Sequence, residues 1–93
     1  MSGKTIAIDF DNTYTACPKT WDAFIQIAQQ NGHRVVCVTA RRDTDENREI
    51  VQIPGVMTYF TGLASKLWYM AEKLGVKVDI WIDDDPVSLV RGH

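Results

Sequence analysis

The stretch Arg34-Val35-Val36-Cys37-Val38-Thr39 constrains this chain more than any other. Its unbroken apolar run cannot alternate between core and water, so a strand made from it is covered on both faces. Strands of that kind belong to parallel sheets with crossover helices packed on either side. The neighbouring sequence supplies such helices. Trp21, Phe24, Ile25 and Ala28 fall at i, i+3, i+4 and i+7, one face of a helix that Asn31 and Gly32 then end.

The same alternation runs through the rest of the chain. Thr5–Phe10 reads as the first strand and 34–39 as the second. Asp43 with Glu46 three residues later reads as a capping box opening a short helix to about Val51, and Pro54-Gly55 marks the loop beyond it. "VMTYFT" is the third strand. Ser65 caps a third helix, in which Leu67, Met70, Ala71 and Leu74 repeat the helical spacing before Gly75. "VDIWID" is the fourth strand, followed by a last helix with Asp85 as cap and Pro86 at its first position. Trp21 fits the core face of its helix, whereas Trp68 and Tyr69 fall off the apolar stripe of theirs, covering the sheet edge or meeting another chain.

The expected fold is a single Rossmann-like three-layer α/β/α domain over residues 1–93, with a parallel sheet of about four strands in the order 4-1-2-3. A chain of 93 residues holds one small core and no second domain. Net charge is −2 and the pI about 5.5, so no global basic field attracts nucleic acid or an anionic membrane. No run is apolar enough to span a bilayer, and the first residues lack the apolar core and cleavage site of a secretory signal, which makes the cytoplasm the expected location. Cys17, in a loop, and Cys37, inside the second strand, fit a reducing compartment, Cys37 as a buried structural thiol.

In parallel sheets ligands bind beyond the carboxyl ends of the strands. Asp9 and Asp11 follow the first strand, Thr39 closes the second, Lys66 lies a few residues past the third, and Asp83 and Asp84 follow the fourth. Taken singly, Asp11 and Thr13 are ordinary turn formers, Thr39 an ordinary strand residue and Lys66 an ordinary surface lysine. Together they form a pattern. Asp9-Phe10-Asp11-Asn12-Thr13, the Thr39 of "VCVTAR", Lys66 and "IWIDDDP" match in order and spacing the four motifs of the haloacid dehalogenase-like superfamily, which the chain resembles over nearly its whole length.

The resemblance implies a magnesium-dependent phosphatase working through an aspartyl-phosphate intermediate. Asp9 would be the nucleophile and Asp11 the general acid and base. Thr39, with the amide of Ala40, would bind a phosphate oxygen, and Lys66 would offer its charge to the phosphate and to Asp9. Mg2+ would be held by the Asp9 carboxylate, the Asp11 main-chain carbonyl and one acid of the fourth motif, Asp84 with Asp83 behind it or the reverse. A divalent ion would also explain why acids are clustered at strand ends, where their repulsion is otherwise uncompensated. Asp85 reads as a helix cap; Arg41 and Arg42 stand at the mouth, as phosphate contacts or as solvated side chains; His33 and His93 read as inert.

Family members often carry a cap domain, and here neither the interval 13–34 nor 41–65 has room for one. Residues 12–18, "NTYTACP", are expected to form only a small flap. A capless site suits a phosphomonoester on a small molecule such as a nucleotide or on a macromolecule, including a nucleic-acid end as substrate, or leaves closure to a second subunit of a homo-oligomer. The competing readings are a non-catalytic phosphate or nucleic-acid binding module of the same fold, and a phosphotransferase whose acceptor is not water.

Overall fold

A computed structural model describes residues 3–91. Four strands, β1 (Thr5–Ile8), β2 (Arg34–Thr39), β3 (Met57–Phe60) and β4 (Ile80–Ile82), form one wholly parallel sheet in the order β3-β2-β1-β4, which read from the other edge is 4-1-2-3. Helix α1 (Pro18–Gln30) joins β1 to β2, α2 (Asp45–Ile50) joins β2 to β3, and α3 (Lys66–Trp68) joins β3 to β4. His93 lies outside the described residues. Among those residues no helix is long and apolar enough to cross a membrane.

Alternation along the two central strands builds two cores. Ile6 and Ile8 of β1 with Val35 and Cys37 of β2 face one side, where Ile25 and Ala28 of α1 cover them. Ala7, Val36 and Val38 face the other, against Met70. The unbroken apolar run of β2 is thus buried on both faces, which is what its sequence demands. Each fully buried aliphatic side chain here contributes about 1.5–3 kcal/mol relative to exposure.

Helix α1 begins with Pro18 at its first position and ends as its sequence predicts. Gly32 takes φ +84°, so its N–H reaches Gln29 O and that of His33 reaches Ala28 O, both at 3.0 Å. His33 itself stands at the amino edge of the sheet, its Nδ1 accepting from Lys4 N at 2.9 Å, far from the strand ends that carry the acids.

Several elements differ from the sequence expectation. β1 stops at Ile8 because Phe10 already turns, its carbonyl accepting from Thr13 and Thr15 N. β3 and β4 are likewise shorter than "VMTYFT" and "VDIWID". The cap of α2 is Thr44, not Asp43: Thr44 is extended (φ −124°, ψ 159°) and its Oγ1 accepts from Asn47 N at 3.0 Å, while Asp43 is taken by Arg48.

The third helix departs most. Ser65 caps it as expected, but after three α-helical residues it widens into a π-turn over Tyr69–Lys73, with Leu74 N bonded to Tyr69 O. Of the expected stripe Met70 is buried, while Leu67, Ala71 and Leu74 are exposed. Tyr69 packs against the Met70 side of the core, whereas Trp68 is 45% exposed. Trp21 packs on the α1 side of the core, edge-on to Phe24.

Of residues 12–18, the segment expected to be a small flap, Asn12 lines the cleft at the strand ends and Tyr14–Ala16 form a 3-10 turn. Tyr14 turns inward, stacked on Phe10 at 5.9 Å, and its hydroxyl donates to Asp22 Oδ1 at 2.7 Å. Asn12, at φ 61°, makes the tight reversal, a conformation asparagine tolerates better than most residues.

Candidate active site at the strand ends

Parallel strands end at the same edge of the sheet, so the residues just past β1, β2 and β4 share one cleft of about 410 Å3, and Lys66 enters it from the start of α3. Asp9, Asp11, Thr39, Lys66, Asp83 and Asp84, named separately by the sequence, all line it. A roomier groove of about 820 Å3 runs beside β3; its charged lining residues are Asp43 and Arg48, which pair with each other, and none of the cleft residues named above lines it.

Lys66 is 2% exposed, not a surface lysine. Its Nζ donates to Asp9 Oδ1 at 2.8 Å and to Asp83 Oδ2 at 2.7 Å, joining the ends of β1 and β4. Burial disfavours its charge, but the hydrogen bonds to Asp83 and Asp9 outweigh that and raise its pKa. The Asp9 carboxyl moves upward too, because burial is only partly offset by the Lys66 hydrogen bond. Asp83 is further fixed at Oδ1 by Asp85 N at 2.9 Å, and Ser88 Oγ lies 3.2 Å from its Oδ2.

Thr13, read from sequence only as part of the first motif, is 7% exposed and connects the acids. Its Oγ1 accepts from Asp84 N at 3.1 Å, and its single proton is shared between Asp84 Oδ1 at 3.1 Å and Asp9 Oδ2 at 3.3 Å. Its placement four residues after Asp9 was the available signal. Asp85 is the cap of the final turn, Oδ1 accepting from Val87 N at 3.2 Å.

Arg41 does not stand free at the mouth. Its Nε and Nη2 donate to both oxygens of Asp11, at 2.9 and 2.8 Å. These bonds hold the Asp11 carboxyl below its ordinary range. Arg42 is exposed and does not line the cleft. Thr39 is buried, with Oγ1 accepting from Arg41 N at 3.2 Å, which leaves its proton for a group in the cleft.

Asp9, Asp83 and Asp84 each offer an oxygen, and these oxygens lie within 4.8 Å of one another. Three carboxylates share one ammonium, since Asp11 is matched by Arg41. The cluster therefore carries about two uncompensated negative charges, and its all-oxygen donor set suits a hard divalent cation such as magnesium. Compared with protein families, with curated proteins and with solved structures, the chain matches none.

Proposed function

We propose that this chain is a magnesium-dependent phosphohydrolase of the haloacid dehalogenase-like kind, acting on a phosphomonoester through a covalent intermediate on Asp9. One observation carries the reading: a buried Asp9, bridged by Lys66 to the acids after β4, opens on a cleft whose charge balance calls for a dication. Asp84 suits the direct ligand position, with the Asp11 carbonyl and Asp9, because Asp83 is already engaged by Lys66 and Asp85 N. Magnesium held there would neutralise phosphate charge and keep phosphorus within reach of Asp9.

The residues divide the work. Lys66 and the Thr39 hydroxyl bind phosphate oxygens and stabilise charge as phosphorus changes partners. An Asp9 oxygen attacks phosphorus as the bond to the leaving oxygen breaks, and that oxygen takes a proton from Asp11. Because Arg41 keeps Asp11 ionised at rest, the proton arrives with the substrate monoanion. Water then passes a proton to Asp11 while its oxygen displaces the Asp9 carboxylate, releasing inorganic phosphate. Between β1 and β2 stand only a short 3-10 turn and α1, and between β2 and β3 only α2. Such an open mouth suits a phosphate on a nucleotide or on the end of a larger molecule. Both cysteines are free, Cys17 exposed and Cys37 buried, in keeping with a reducing, cytoplasmic setting.

Phenyl phosphate hydrolysis, followed by release of inorganic phosphate, tests the reading. Asp9→Asn should abolish it, as should a chelator, with magnesium restoring the second loss only. Turnover that survives either treatment refutes the assigned chemistry, and phenol release without inorganic phosphate points to transfer to another acceptor.

A further inference from the structure

Helix α2 poses a question of its own. It contributes no buried residue to either core, and a helix of six residues is too short to persist on propensity alone. Its one half-buried side chain is polar, Asn47. Asn47 Oδ1 accepts from Arg41 Nη1 at 3.0 Å, its Nδ2 donates to Arg42 O at 2.9 Å, and its N–H is the one bonded to the Thr44 cap. The inward face of α2 is thus spent on the backbone and guanidinium of the loop after β2.

Arg41 lines the cleft and is partly exposed, yet most of its polar groups are engaged. Two of its nitrogens grip Asp11, a third is held by Asn47, its main-chain N–H is bonded to Thr39 Oγ1, and its guanidinium carbon lies 5.8 Å from the Phe10 ring centroid. A guanidinium spent in this way is poorly placed to leave for a phosphate. The paired bonds instead fix both the position and the plane of the Asp11 carboxylate, which a single point charge cannot do.

We infer that Arg41, braced by Asn47 of α2, is a positioning residue that sets the Asp11 carboxylate for its proton transfers and is not a ligand of the substrate phosphate. The inference rests on the phosphatase reading above and assigns α2 a purpose that core packing does not. A misplacement of about 1 Å in such a group costs on the order of 100-fold in rate.

The test is the rate of leaving-group release in a single turnover, with magnesium, from two aryl esters: 2,4-dinitrophenyl phosphate, whose leaving group needs no proton, and phenyl phosphate, whose leaving group does. Arg41→Ala should slow phenol release by about 100-fold or more while slowing dinitrophenol release only a few-fold. Substrate affinity should hardly change. Arg41→Lys, which keeps the charge without the fork, should show the same selective loss, and Asn47→Ala a smaller loss of the same kind. Equal slowing with both esters, weakened substrate binding at an unchanged rate, or full rescue by lysine would overturn the assignment and make Arg41 a phosphate ligand or a purely structural residue. A wild-type protein that releases neither leaving group overturns the phosphatase reading, and this inference with it.

Discussion

Replacing Lys66 by methionine removes one positive charge and keeps the length of the side chain. Lys66 is 2% exposed and its ammonium makes charge-assisted bonds of 2.8 Å to Asp9 and 2.7 Å to Asp83, so its loss leaves two carboxylates without their counter-charge. Removing one partner of a buried pair costs about 3–5 kcal/mol. Because the cleft is open to water and Asp84 is exposed, the lower end applies, about 3 kcal/mol. For a domain of this size that lowers the melting temperature by roughly 12–24 °C. Magnesium, if bound as proposed, should act in the opposite direction: at about 100 times its dissociation constant it would return roughly 2.7 kcal/mol. Its effect should be larger in Lys66→Met than in the wild type, since the variant's cluster carries one more uncompensated negative charge. Thermal unfolding followed by circular dichroism, with chelator and then with magnesium, measures both shifts. A variant that melts within about 2 °C of the wild type in chelator, or a wild type and variant equally indifferent to magnesium, would refute the charge reasoning.

Two further outcomes follow from the shifted groups. Asp11 is held below the ordinary carboxylate range, so its pair with Arg41 stabilises the fold above the unfolded value near pH 4 and loses that effect as pH falls through the depressed folded value. The gap in melting temperature between wild type and Arg41→Ala should therefore narrow from pH 6 to pH 2, and a gap that stays constant would contradict the pairing. Burial pushes the Cys37 thiol up to about 12, so at pH 8 only about one in ten thousand is ionised. An aromatic disulfide reagent should titrate one thiol, Cys17, in the native protein and both in denaturant; two fast native equivalents would show the β2 core to be open.

The sheet, its strand order and the residues brought to the cleft were legible in the sequence for a shared reason. A parallel strand buried on both faces is written as a continuous apolar run, and the first polar residue after it must lie at the carboxyl edge, so Asp9, Thr39 and Asp83 announce their own location. What the sequence hid depends on the aim of individual side chains. Asp43 and Thr44 are both competent caps, and the choice fell to Thr44 because Asp43 had Arg48 as partner. Arg41 at a loop looks like any solvated arginine until Asp11, thirty residues earlier, is seen to face it. The π-turn after Trp68 leaves no compositional trace, so the regular helical spacing read across it does not hold. Asn47, and the part Thr13 plays between the acids, were hidden because hydroxyl and amide groups serve turns and caps equally well.

β4 is only three residues long, and Ile80, Trp81 and Ile82 lie beside Ile6, Ala7 and Ile8 along a narrow seam. At the far end of that seam the Asp9 amide donates to the Ile82 carbonyl at 2.9 Å, one residue from each group of acids. Asp9 stands on one side of the seam and the paired acids Asp83 and Asp84 on the other. Lys66 already spans that seam, and an ion held beside it, as proposed, would staple β4 to β1, so that docking the strand and assembling the cluster would be a single mechanical event.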